Sequence, residues 1–383
     1  MTVTTPRGFR ASGVAAGLKS SGDLDMGVIV NDGPRDAAAA VFTSNRCKAN
    51  PVLWSEQAIR TGAAKAVVVN SGGANCYTGS DGFALTHATA EAVAEELGVG
   101  AIDVQVCSTG LIGMLNVRDD VLAGATEATK RLDADGGEQT ARAIMTTDSH
   151  PKNAVSSGEG YTVGGIAKGA GMLAPQLATM LVFLTTDADL SGDELDQALR
   201  SATAATFDRL DSDGCQSTND TVLLMASGAS GVRPELAEFT EHVRMVCHDL
   251  AMQLLADAEG ADHEITIDVR NAASEADALE VARSVARSNL FKCAVFGKDP
   301  NWGRVLASIG TTGAAFDPAD LDVALNGVWV CRASGPAEPP DEVDLAKRQV
   351  SLEIDLKTGS EAATIWTNDL THAYVHENSA YSS

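Results

Sequence analysis

Positive charge is scarce in this sequence, and so is any apparatus for gripping phosphate. Lys and Arg number 28 against 52 Asp and Glu in 383 residues, a formal net charge of −24. Such a field disfavours a nucleic-acid backbone, although a small basic pocket survives it. No GxGxxG follows a strand at dinucleotide-binding spacing and no GxxxxGK[ST] occurs. The glycines of 164–171 lack both the strand-to-helix context and the hydroxyl after lysine that phosphate binding needs. The nucleophile elbow GxSxG is missing too, which leaves a serine hydrolase without its usual signature. Seven widely spaced cysteines form no CxxC pair, so neither a disulfide framework nor a thiolate zinc knot is expected, and a reducing cytoplasm is the simpler compartment. His372 and His376 have ligand-like spacing, but no carboxylate completes a zinc pattern and no metal is expected. The start, MTVTTPRGFRASG, has no continuous apolar segment, and no later stretch holds about 20 apolar residues, so neither export nor membrane spanning is expected.

What remains is an ordinary globular composition, 44% hydrophobic and 21% charged, in a chain long enough for two domains. Short apolar runs alternate with Gly, Asn and Thr clusters in the N-terminal half. Residues 38–44 and 66–69 read as strands, the second delivering Asn70 and Asn75 to a glycine-bearing turn. Residues 83–97 carry apolar residues at helical spacing. An apolar strand after 101 leads into a Ser-Thr-Gly turn, and a helix follows over 119–131. Met180–Thr186 reads as a central strand. Ser191 and Glu194 form a capping box that opens a helix to about 207. Strand 221–226 is followed by a helix whose apolar face is Leu236, Phe239, Val243, Val246, Leu250 and Leu254. A further helix at 274–288 and strands near 264–270, 321–332 and 349–356 complete a mixed α and β pattern.

Two hydroxyls carry chemical interest. Thr109 beside Gly110 offers a hydroxyl and a backbone N–H as paired donors to a developing oxyanion, although taken alone Ser-Thr-Gly is an ordinary turn. Thr179 sits where threonine is also a common strand former. Were the Ala178–Thr179 bond cut, the new α-amine would serve as base for the threonine's own hydroxyl, and no histidine would be needed.

KGAGMLAPQLATML at 168–181 resembles the self-cleavage segment of the ArgJ family, the ornithine acetyltransferases of arginine biosynthesis. CSTGLIG at 107–113 is similar to that family's oxyanion turn, and MTTDSHPK at 145–152 to its substrate loop. QSTNDT at 216–221, FGKDPNWGR at 296–304 and the terminal ENSAYSS match in the expected order. Each motif is weak alone; together they are specific and span essentially the whole chain.

The resemblance implies an α/β fold, a layered α-β-β-α catalytic sandwich of the ArgJ/DmpA-like type with a smaller α+β C-terminal domain. It implies a catalytic domain over 1–240, joined by the tail 369–383, and a C-terminal domain over 241–368. Cleavage between Ala178 and Thr179 would give chains 1–178 and 179–383, assembled as two α and two β chains. Thr179 matches the nucleophile, Thr109 and Gly110 the oxyanion donors, and Thr147, Lys168, Thr179, Glu259, Asn378 and Ser383 the substrate contacts. The implied reaction moves acetyl from N2-acetyl-L-ornithine to L-glutamate without a tightly bound cofactor, with acetyl-CoA as a second acetyl donor in some members. A related N-terminal nucleophile aminopeptidase or amidase would share the nucleophile and release product to water; the substrate and tail motifs argue against it, and a non-enzymatic amino-acid-binding protein, the other alternative, would keep its chain intact. The family commonly continues its glutamate as Gly-Ala-Thr-Lys, whereas this chain reads Glu259, Gly260, Ala261, Asp262, His263. Ser217, Thr218, Asn219 and Asp220 are expected to organise a polar strand end, and the Gly297–Arg304 motif to brace a loop or a subunit contact.

Overall fold

A computed structural model describes residues 2–171 and 180–380. Ala178, Thr179 and Ser383 lie outside the described residues. The first nine strands are β1 (Phe9–Val14), β2 (Met26–Asn31), β3 (Ala37–Phe42), β4 (Ala66–Gly73), β5 (Val104–Leu111), β6 (Lys152–Ser157), β7 (Thr162–Lys168), β8 (Leu181–Thr186) and β9 (Thr221–Ala226). They form two sheets, ordered β1-β2-β4-β5 and β3-β9-β8-β7-β6. The pairings β4–β5 and β8–β9 are parallel.

Side-chain alternation explains the layering. Leu181 and Phe183 of β8 meet Val67 and Val69 of β4 between the sheets, together with Ile29 and Cys107. Val182 and Leu184 point the other way and pack with the outer helices. A strand with both faces covered reads as a continuous apolar run, and β8 is buried at every position. The helices in this half are α1 (Asn50–Ala58), α2 (Gly79–Leu97), α3 (Arg118–Lys130), α4 (Gly137–Ala143), α5 (Gly192–Ala205) and α6 (Leu236–Ala256). Leu85 and Val93 of α2 and Val121 of α3 cover one outer face. Leu195 and Leu199 of α5 cover the other with Val243 and Leu250 of α6, so the order of layers is α-β-β-α. Ser191 and Glu194 cap α5 reciprocally, as their spacing predicts.

Helix α6 crosses the expected boundary at 240/241. It runs unbroken through residue 240, and Phe239, Val243, Val246, Leu250 and Leu254 are all at most 1% exposed in the sandwich core. Dividing the chain at 240/241 would strip that face, where truncating one leucine to alanine costs about 2–5 kcal/mol. The second core begins only at Ile265, so the packing divides the chain after Ala256.

The C-terminal unit contains β10 (Glu264–Ala272), β11 (Asp322–Leu325), β12 (Val328–Arg332), β13 (Gly335–Pro336), β14 (Gln349–Asp355) and β15 (Glu361–Asn368), ordered β13-β12-β11-β14-β10-β15. Helices α7 (Glu275–Ala286), α8 (Asn289–Phe296) and α9 (Trp302–Ile309) contribute to its core, and α10 (His372–Ala380) forms the tail. The strand expected over 321–332 is a hairpin, β11 and β12. Asn326 and Gly327 between them both have positive φ, 47° and 84°, the conformation a two-residue hairpin turn requires. Among the described residues no helix is long and apolar enough to cross a membrane. All seven cysteines are free.

Candidate active site

The expected Ser-Thr-Gly turn is the end of a strand. β5 continues to Leu111, and its parallel register places Thr109 beside Ser71 and Gly110 beside Gly72. Gly110 has φ +122°, and a Cβ there would stand 2.8 Å from the Gly72 carbonyl carbon. Glycine is therefore required by both conformation and space. Asn219 fixes this end from the other sheet, its amide donating to the carbonyls of Ala74 at 2.6 Å and Ser108 at 2.9 Å. Thr218 donates to the Asn219 side-chain oxygen at 2.6 Å. The QSTND segment thus organises the strand end, as its sequence suggests.

Lys168 closes β7 and is 1% exposed. Its ammonium donates to the Thr109 hydroxyl oxygen at 3.2 Å, which leaves the hydroxyl proton to be donated elsewhere. Burial pushes the Lys168 ammonium below its ordinary range, while Asp148 opposes that and Lys152 adds to it. Asp148 accepts from Lys152 at 2.7 Å, from the Gly169 N–H at 2.6 Å and from the Thr146 N–H at 3.0 Å. Burial alone would raise this carboxyl; Lys168, Lys152 and the Gly169 N–H overcome it and hold it at about 2.

Fully buried Lys152 also reaches Asp257 at 2.6 Å, joining the 145–152 loop to the segment after α6. Two residues beyond Asp257, Glu259 accepts from the Thr147 hydroxyl at 2.8 Å and from the Asn378 amide at 3.0 Å. A Cβ on Gly171 would lie 2.6 Å from the Glu259 carboxylate, so the chain after Lys168 passes directly over it. Asp220 accepts from the Met180 N–H at 3.0 Å, and burial pushes its carboxyl well above the ordinary range.

The structure thus joins Thr109 to Lys168, brings Thr147, Glu259 and Asn378 together, and links the two groups through Asp148 and Lys152. Sequence reading had not singled out Lys152, Asp148 or Asp257. Lysine is rarely buried, and a bridge between positions 152 and 257 leaves no local pattern. His263, where the chain departs from the family habit, is buried, with Nδ1 2.6 Å from Asp369 and Nε2 3.0 Å from the Leu345 carbonyl. Asp369 also accepts from the Asp262 and His263 N–H groups, so this departure ties the Glu259 loop to the tail. In the 297–304 motif, Asn301 donates to Asp299 at 3.0 Å and Arg304 to the Leu290 carbonyl at 2.5 Å, which braces the α8–α9 loop. Among the described residues no group of three His, Cys, Asp or Glu is placed to hold a metal ion.

A hydroxyl and a strand-end amide beside a buried ammonium are an arrangement able to donate to a developing oxyanion. The chain belongs to the ArgJ family, whose model matches residues 10–383. It is 62% identical over 383 residues to the arginine biosynthesis bifunctional protein ArgJ of Streptomyces avermitilis, with 100% of both chains covered. The protein of the same name from Streptomyces coelicolor is 60% identical, again over 100% of both. A solved chain of Mycobacterium tuberculosis ornithine acetyltransferase, complexed with ornithine, is 55% identical with a TM-score of 0.45, covering 46% of this chain and 96% of that one.

Proposed function

We propose that the protein is a glutamate N-acetyltransferase that carries acetyl from N2-acetyl-L-ornithine to L-glutamate on Thr179. The observation that carries this reading is the Thr109–Lys168 contact beside the Gly110 amide, in a chain matched end to end by ArgJ relatives. Cleavage at 178/179 frees the Thr179 α-amine. That amine takes the proton from the Thr179 hydroxyl as the oxygen attacks the acetyl carbonyl. Thr109 and the Gly110 N–H stabilise the oxyanion. The proton then passes to the departing nitrogen, the C–N bond breaks, and ornithine leaves acetyl-Thr179 behind. Glutamate's amine attacks the ester, and the steps reverse to give N-acetylglutamate.

Lys168 serves the common α-carboxylate with Asn378 and Ser383, while Thr147 holds Glu259 toward the cationic end of ornithine. Acetyl-CoA is a second acetyl donor in this reading. The assembly is two α and two β chains in the cytoplasm, with no tightly bound cofactor. Incubation with acetyl-labelled acetylornithine alone should release ornithine and label Thr179, and added glutamate should discharge the label as N-acetylglutamate. Rapid loss of label to water, without transfer, would make the protein an amidase instead.

A further inference from the structure

Acetylornithine and glutamate carry opposite charges at side-chain ends of similar reach, yet exchange through one acetyl-enzyme puts both in the same place in turn. A wall of one sign would attract one and repel the other. A cleft of about 370 Å³ lies against Glu259, between the 211–214 loop, the start of α8 and the tail, and its walls carry both signs: Asp213, Glu259 and Asp369 against Arg287 and Lys292.

These charges are not equivalent: Asp369 is already engaged by His263 at 2.6 Å. Arg287 is engaged by Asp211 at 2.7 Å. Lys292 is 6% exposed, and among the described residues its ammonium donates to one partner, the Ser212 carbonyl. An ammonium has three donors, so two remain. Burial pushes Lys292 below its ordinary range, with Asp213, Asp211 and Asp369 acting against that. A cation so placed at a cavity wall is best completed by an anion arriving in the cavity. Tyr374, also in the wall, marks where the negative side lies. Its phenol is pushed up to about 12 by burial and then by Asp213 and Glu259, which line the same cleft.

We propose that this cleft reads the side chains of both amino acids, Asp213 joining Glu259 in receiving the δ-ammonium of ornithine and Lys292 receiving the γ-carboxylate of glutamate. The assignment rests on the acetyl-transfer reading above and adds Asp213 and Lys292 to it. Each substrate side chain then meets a group of opposite charge in the same cleft.

The test is a crossed comparison of the two half-reactions in the processed enzyme. Lys292→Met should raise KM for glutamate about tenfold to a hundredfold, the loss of one charge-assisted hydrogen bond, while KM for acetylornithine moves far less. Asp213→Asn should do the reverse. Lys292→Met should also erase the preference for glutamate over glutamine as acceptor. These ratios do not depend on the fraction of enzyme that is folded, and Lys292→Gln replaces the methionine variant should that one not accumulate. Equal changes in both KM values, or none, would overturn the charge sorting while leaving acetyl transfer intact. Failure of wild-type enzyme to take label from acetylornithine would overturn both.

Discussion

Charge is buried at the strand ends of the catalytic sandwich, whereas several charge pairs on the last sheet of the C-terminal unit stay wet. Lys152, Lys168, Asp148 and Asp220 are buried near the ends of sandwich strands, whereas Arg270–Glu353 and Lys357–Asp320 lie on the rim of the last sheet with their side chains partly in solvent. The strands explain the contrast. β8 and β9 are covered on both faces, while β14 alternates buried with exposed positions. Two-sided burial removes water, so each charge must be answered by another and each answer is strong. One-sided burial leaves pairs where water competes and their worth is small. The proposed oxyanion donors Thr109 and Gly110 lie in the first environment, at the end of β5.

The sharpest way to break the comparison is Lys152→Met, which leaves Asp148 and Asp257 buried without their shared cation. It should cost about 3–5 kcal/mol of stability, read by denaturant titration; a loss below about 1 kcal/mol would place the network on a par with the rim. Thr109→Ala should keep the fold and lower the acyl-transfer kcat about 10²-fold to 10³-fold, checked by single-turnover rates on fully processed enzyme. Asp148 gives the contrast a pH signature. Its carboxyl is held at about 2, below the ordinary 3.8, so its stabilisation, about 2 kcal/mol, is complete above pH 4 and is lost as pH falls through 2. Asp148→Asn should flatten stability across that window; an unchanged acid limb would remove Asp148 from the account. Arg270→Ala, at the rim, should shift stability by at most about 1 kcal/mol, and a larger melting shift would erase the distinction.

The same contrast governs how much could be read from sequence. β8, β9 and the face of α6 were legible because continuous apolar runs and 3.6-residue spacing are local signals, and the α5 cap because Ser191 and Glu194 are three apart. The family motifs singled out Thr109, Lys168, Thr147, Glu259 and Asn378 without indicating which would touch. Lys152 and Asp257 left no trace, being 105 positions apart and of a type normally solvated. Ser108-Thr109-Gly110 looked like a turn because glycine and hydroxyl residues usually make one; pairing with β4 overrides that preference. No local signal marks how α6 sits across position 240, since a helix packs by its face and α6 turns its face to the sandwich.

The order of the second sheet has a consequence for any break between residues 178 and 179. Its strands run β3-β9-β8-β7-β6, so β8 and β9 would belong to one fragment while β3 on one side and β7 and β6 on the other belong to the second. The fragments would interleave like fingers of two hands, with two ladders, β3–β9 and β7–β8, crossing between them. Dilution cannot part such a pair without melting this sheet, which neither piece carries whole, although residues 1–178 keep β1-β2-β4-β5 and residues 179–383 keep the C-terminal sheet. A break made before folding would leave that one sheet divided, and separately produced fragments should rebuild it, and recover activity, only when they are refolded together.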